Sequence, residues 1–321
     1  MSIQGTDHKL DGIPCQDWSD AVRLENGWVI AAVADGVGSA VFAQEGSKKA
    51  VETVISFIKE NIYLDEWNFE LNKSLLMVAF GKSLQEIINL AKEKKCNLGD
   101  YDTTLDVVIY NGVEVVFGHS GDGGIISLSN YGKYSLLTEP QKGEAFNELI
   151  PLRAGPTFWV FGQSRNSVCS LLLLTDGIYD TVCPPYFNSK EYSASPIHIK
   201  KVRRFMDIDS LGVKTIEDCE IVEKQIKDYF HGSKTKDITD DKTIIGIINL
   251  DISPEPFDYP EPDWEKIHKD FVIDDHEETL CDFKQTAIDE AIKAIQEKED
   301  IFSQKENKTQ AKNDIRVDIA I

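Results

Sequence analysis

Val29-Ile30-Ala31-Ala32-Val33-Ala34 is an unbroken apolar run of strand length that stops at Asp35-Gly36-Val37-Gly38. A buried strand that ends in an acid and a glycine turn carries a carboxylate to the rim of a core. The pattern recurs. Leu171-Leu172-Leu173-Leu174-Thr175 ends at Asp176-Gly177, Val113 to Ser120 leads into Gly121-Asp122-Gly123, and Asp240-Asp241 precedes the run Thr243 to Leu250. With Asp17 in Cys15-Gln16-Asp17, the chain sets isolated aspartates at strand edges far apart in sequence. Such a set suits Mg²⁺ or Mn²⁺, which take carboxylate and water oxygens and need several acids to balance a pair of ions.

The ordered elements Cys15-Gln16-Asp17, Asp35-Gly36-Val37-Gly38, Thr103-Thr104, Gly121-Asp122-Gly123, Thr175 to Asp180 and Asp240-Asp241-Lys242-Thr243 resemble the metal-dependent serine/threonine protein phosphatases of the 2C type, in particular the compact bacterial branch. The resemblance runs from about residue 1 to 250. It implies an α+β fold, a four-layer α-β-β-α sandwich of two mostly antiparallel sheets flanked by helices. It implies a pair of Mn²⁺ or Mg²⁺ ions held by Asp17, Asp35, the Gly36 carbonyl, Asp176 and Asp240, with Asp122 as ligand for a third ion. Asp17, Asp35, Asp176 and Asp240 are then the catalytic acids. Asp180 follows Asp176 by four residues, so a helix starting there puts both acids on one side and adds Asp180 to the metal set. A metal-activated water would attack a phosphoserine or phosphothreonine of a protein substrate, and a cognate serine/threonine kinase is the natural counterpart.

The residues also limit the alternatives. None of the six cysteines forms a CxxC pair or begins a CxxxxxR loop, which argues against a zinc or redox motif and against a phosphocysteine route. A net charge of -21 argues against nucleic acid, whose phosphates call for a Lys/Arg surplus. The N-terminal residues lack a signal-peptide pattern and no apolar run reaches membrane-spanning length, so the reading is cytosolic with no membrane partner.

Along the chain, Asn26-Gly27 predicts a hairpin between Ala21–Leu24 and Gly27–Val33. Apolar positions 50, 51, 54, 55, 58 and 62, and again 75 to 91, predict two amphipathic helices. Residues 101 to 137 read as a strand meander and 138 to 170 as loops and short strands, where relatives carry a variable flap. Arg153 and Arg165 in that stretch are weighed as phosphate contacts against plain surface roles. A third helix is expected at Ile216 to Phe230, with Ile221, Val222, Ile226 and Phe230 on its apolar face. Pro254, Pro256, Pro260 and Pro262 mark an acidic linker. The reading therefore divides the chain into a catalytic domain, 1–253, and an extension, 254–321, with one amphipathic helix at Cys281 to Phe302 that packs back on the domain or binds a partner.

Two departures from the resembled pattern stand out. Val37 occupies the place where many members have a histidine after the first Asp-Gly, and ahead of Asp17 only His8 and Lys9 stand near the place of a phosphate-contacting arginine. These departures favour a rival reading, a catalytically silent module that recognises phosphoproteins or regulates a kinase. A phosphatase of small phosphate esters is the third reading. His119 is expected to be a core histidine.

Overall fold

The computed structural model describes residues 1–141, 149–184, 197–232, 235 and 238–259. The predicted helix at 281–302 and nearly all of the extension lie outside them.

Among the described residues ten strands form two five-stranded sheets in which every pairing is antiparallel. One sheet has the order β2 (Trp18–Arg23), β3 (Val29–Ala34), β4 (Leu105–Tyr110), β5 (Val115–Ser120), β8 (Val160–Ser164). The other has the order β1 (Ser2–Ile3), β10 (Lys242–Ile248), β9 (Val168–Leu174), β6 (Gly124–Ser129), β7 (Tyr134–Leu136). Strand alternation sorts the side chains into layers. Along β3, Ala31 and Val33 meet Leu171 and Leu173 of β9 between the sheets, whereas Ile30, Ala32 and Ala34 face the helices. Both faces are covered, which is why these strands read as continuous apolar runs.

Helices α2 (Ala43–Asn61) and α3 (Phe69–Lys94) cover the β2–β8 sheet. Their periodic residues Ala50, Val51, Val54, Ile58, Leu76, Ala79 and Phe80 are the buried ones. Asn68 caps α3 by accepting from the Leu71 amide at 3.0 Å, and the helix stops at Lys95 in the left-handed conformation with φ 55°. On the opposite face α4 (Asp176–Val182), α5 (Ile199–Met206) and α7 (Ile216–His231) pack on the second sheet through Ile178, Val202, Met206 and Phe230. The result is the α-β-β-α sandwich.

Three details depart from the sequence expectation. Short α1 (Thr6–Asp11), α5 and α6 (Ile208–Leu211) occupy stretches that lack a sustained apolar period. On α7 only Phe230 is buried, and Ile221, expected on the apolar face, is 56% exposed. A capping box of Thr215 and Asp218 fixes where α7 starts, and so compensates in part for its thin packing. Finally, residues 255 to 259 are seated on the β6–β7 turn: the Glu255 amide donates to the Asn130 carbonyl at 2.6 Å and the Tyr134 amide to the Tyr259 hydroxyl at 2.7 Å. No helix among the described residues is long and apolar enough to cross a membrane.

Phe80 joins α3 to the first sheet, fully buried and edge-on to Trp159 and Phe161 with ring centroids 5.6 and 5.0 Å away. Phe80→Ala is expected to cost about 3–5 kcal/mol in urea unfolding. Met77→Ala, on the exposed side of the same helix, is expected to stay within about 0.5 kcal/mol.

Candidate metal centre

The ends of β3 and β9, one from each sheet, deliver their aspartates to the same place. Asp35 is held through its backbone: its amide donates to the Thr104 hydroxyl at 2.8 Å, and its carbonyl accepts from the Thr104 amide and the Thr103 hydroxyl, both at 2.8 Å. Asp176 opens α4 directly after β9. The intervening Thr175 hydroxyl donates to Asp17 Oδ2 at 2.8 Å and accepts from the Thr243 amide at 3.1 Å. That single hydroxyl ties Asp17, β9 and β10 together. The glycine after each acid is required by close packing. A Cβ on Gly36 would lie 2.6 Å from the Ala43 carbonyl, and one on Gly177 would lie 2.1 Å from the Asp241 carbonyl.

Carboxylate oxygens of Asp35, Asp122 and Asp176 lie within 4.8 Å of one another. Asp17, only 2% exposed, sits beside them and acts electrostatically on Asp35. Asp240 acts electrostatically on both Asp35 and Asp176, and Asp180, one turn along α4, acts on Asp176. Gly36 is bridged to Thr103 beside the cluster. Among the described residues Asp17, Asp35 and Asp176 form no ion pair with a lysine or arginine.

The electrostatic result is a strained set of acids. Burial lifts the Asp17 carboxyl to about 7, against the pull of hydrogen bonds from Thr243 and Thr175 and with help from the Asp241 charge. Burial, then the charges of Asp17 and Asp176, hold Asp35 well above the usual carboxylate range. Burial and Asp240 raise Asp176 in the same direction. Three hard oxygen donors at this spacing, with the neighbouring acids raised by mutual repulsion, fit a divalent cation of the Mg²⁺ or Mn²⁺ type.

The adjacent acids Asp240 and Asp241 have separate surroundings. Asp240 is exposed on the cluster side, its Cβ 3.5 Å from where a Gly177 side chain would begin. Asp241 is buried and turned toward the N-terminal segment: Oδ1 accepts from the Gly5 amide at 2.6 Å, Oδ2 from the Gln16 amide at 2.6 Å, and His8 Nδ1 lies 2.9 Å away. The role of Gly5, His8 and Gln16 as an anchor was not readable from the polar N-terminal sequence. The basic residues weighed as phosphate contacts are engaged elsewhere. Arg153 grips Asp102 with two nitrogens at 2.5 and 2.6 Å, and Arg165 stacks on Phe69 at 5.2 Å.

Residues 4–210 match the protein phosphatase 2C family model, a span that takes in Asp17, Asp35, Asp122, Asp176 and Asp180 and ends before Asp240. The chain belongs to the protein phosphatase 2C family. The fold is also that of solved bacterial phosphatases. A structure described as a bacterial serine phosphatase aligns with TM-score 0.54 at 15% identity, over 80% of this chain and 98% of its own. Stp1 from Staphylococcus aureus, a serine/threonine phosphatase, aligns with TM-score 0.53 at 15% identity, over 77% of this chain and 92% of its own. The catalytic domain of the serine/threonine phosphatase PstP, solved with two manganese ions, aligns with TM-score 0.50 at 14% identity, over 77% and 94%. No curated protein sequence matches the chain significantly.

Beside the cluster, His119 is fully buried, as expected of a core histidine. Its Nδ1–H donates to Asp106 Oδ1 at 2.6 Å and its Nε2–H to the Glu139 carbonyl at 2.9 Å. Only the imidazolium can donate from both nitrogens. Burial pulls its pKa down, but the Asp106 charge and hydrogen bond and the Glu139 carbonyl outweigh it, so the value is raised. The stability this pair contributes is therefore complete below the unfolded value of about 6.5 and is lost as pH rises through the higher folded value. In a pH titration by imidazole nitrogen NMR, His119 is expected to stay doubly protonated to higher pH than a free imidazole, and His119→Gln is expected to lack that part of the alkaline decline in unfolding free energy.

Proposed function

We propose that this chain is a metal-dependent protein serine/threonine phosphatase that hydrolyses phosphoserine and phosphothreonine. The observation that carries this reading is the convergence of Asp35, Asp122 and Asp176, backed by buried Asp17, at the ends of two stacked sheets. Family membership supports phosphatase chemistry, and the two manganese ions of the PstP structure support the cation class.

In this reading Asp17, Asp35, the Gly36 carbonyl, Asp176 and Asp240 would hold two Mn²⁺ or Mg²⁺ ions, Asp122 would serve a third, and Asp180 would join the set from the side of Asp176. Such ions, when bound, make water acidic enough to act as a nucleophile at neutral pH and offset the charge of a phosphate ester. The chain's own residues supply position. Thr103 and Thr104 fix the backbone of Asp35, the Thr175 hydroxyl aims Asp17, and the bare Gly36 and Gly177 let α2 and β10 close on the acids. Val37 offers no proton where many relatives carry histidine. The proposed substrate is a phosphoprotein, with a cognate kinase as counterpart, in the cytosol.

A second reading rests on the basic residues. Arg153 is tied to Asp102 and Arg165 lies on Phe69, which favours weak phosphate capture and a regulatory, phosphoprotein-recognising module. A small phosphate ester as substrate is the remaining alternative.

The deciding experiment is hydrolysis of a phosphothreonine peptide with Mn²⁺, with chelator, and by Asp35→Asn and Asp176→Asn. Metal-dependent turnover is expected, with each variant reduced by more than about 100-fold, the upper range for loss of groups that merely support metal ligands. A folded wild type that binds Mn²⁺ in calorimetry yet turns over no peptide would favour the regulatory reading, and turnover of p-nitrophenyl phosphate alone would favour small esters.

A further inference from the structure

Strand β1 covers little of its neighbour. It pairs with β10 only through Ser2 opposite Thr243 and Ile3 opposite Lys242, whereas β10 continues to Ile248 and pairs with β9 along Ile244 to Ile248. Among the described residues no strand lies on the other side of that stretch. Alternation decides which groups face the open side. Thr243 and Asn249 bond toward β9, the Thr243 carbonyl accepting from the Thr175 amide and the Asn249 amide donating to the Cys169 carbonyl. Ile244 bonds the opposite way, accepting from the Met1 amine at 2.9 Å and donating to the Met1 carbonyl at 3.0 Å. Gly246 and Ile248 share the orientation of Ile244, so their amides and carbonyls point outward past Met1.

What they point into is a groove of about 630 Å³ between α7 and β2, lined also by Ile244 and Ile245. This volume is within the usual range of about 300–1,000 Å³ for ligand sites. Its walls are largely apolar, with Val222 and Ile226 on α7 and Ala21, beside Ser19, on β2. Exposed Glu220 and Glu223 of α7 form an acidic rim. None of the aspartates of the metal cluster borders it. An open backbone ladder between two apolar walls is the arrangement that accepts an extra strand.

We propose that this groove is a docking site for a partner protein, which contributes an extended segment of alternating apolar and basic residues as an added strand beside β10. Its backbone would bond Gly246 and Ile248 in the row that β1 begins. Its side chains would alternate between the α7 wall and the β2 wall, and its lysines or arginines would meet Glu220 and Glu223. Charge complementarity selects a basic segment over an acidic one, both at the rim and across a chain with 55 acidic and 34 basic residues. The site is independent of the phosphatase reading, because its ligand is recognised by backbone and charge rather than by phosphate.

The test uses the full chain and fluorescence anisotropy of a labelled peptide alternating lysine and valine. It is compared with the same peptide N-methylated on alternate residues, in both registers, and with its glutamate–valine counterpart. Saturable binding is expected for the lysine peptide, weakened at least about tenfold by one N-methylation register and by the acidic sequence. Ile248→Pro removes an outward amide at a sheet edge, where proline is tolerated, and the pair Glu220→Lys and Glu223→Lys reverses the rim. Each is expected to weaken binding by at least about tenfold while circular dichroism shows an unchanged fold. Should Ile248→Pro fail to fold, the N-methyl comparison decides alone. Absence of saturable binding, or binding indifferent to N-methylation in both registers, would overturn the proposal. So would dimerisation of the free chain that Ile248→Pro abolishes, since it would assign the edge to a second copy.

Discussion

Repulsion among acids is the constraint that the rest of this fold must withstand. Asp17, Asp35 and Asp176 sit together with no lysine or arginine partner among the described residues, and each has its carboxyl pKa raised by burial and by its neighbours. Left to themselves such groups would separate or take up protons. They stay because each is anchored to an element that cannot move alone. Asp35 follows a strand buried on both faces, Asp176 begins a helix packed on the other sheet, and the Thr175 hydroxyl binds Asp17 to both β9 and β10. Apolar packing between two sheets thus holds a charge arrangement that a cation would relieve.

The neighbours Asp240 and Asp241 show how finely such a site divides labour. One backbone step turns the second acid away from the cluster into a buried set of hydrogen bonds from Gly5 and Gln16, while the first remains exposed on the cluster side. Charge alone does not distinguish them. Their difference is set by the path of the backbone just ahead of Lys242, where β10 starts and where Asp241 meets the amides of Gly5 and Gln16.

Sequence pattern revealed the frame of this molecule better than its joints. Apolar runs ending in Asp-Gly located β3 and β9, and the three-to-four spacing from Ala50 to Ile58 located α2, because burial on a fixed face leaves a periodic trace. The convergence of Asp35, Asp122 and Asp176 was legible only through the order of motifs, since no spacing rule links residues so far apart. What left no trace was local and polar. Nothing periodic marks Gly5, His8 and Gln16 as partners of Asp241, and α1, α5 and α6 are too short for a period to show. Ile221 misled in the opposite sense, because an apolar residue at helical spacing says only that a face exists, and α7 is packed too thinly to cover it.

The bonds from Asp241 back to Gly5 and Gln16 have a temporal side. They join points 236 and 225 residues apart, and β10, which carries them into the sheet, is the last strand of the domain. Contacts of such long range form late and slowly. On a ribosome, Asp35 emerges about 200 residues before Asp240, a delay on the order of 10–40 s at ordinary rates of synthesis. Throughout that interval the second sheet lacks the strand that lies between β1 and β9. Asp240 and β10 are therefore the last parts of the site to be synthesised, and a truncated or stalled chain carries most of the aspartates without the strand that lies beside β9.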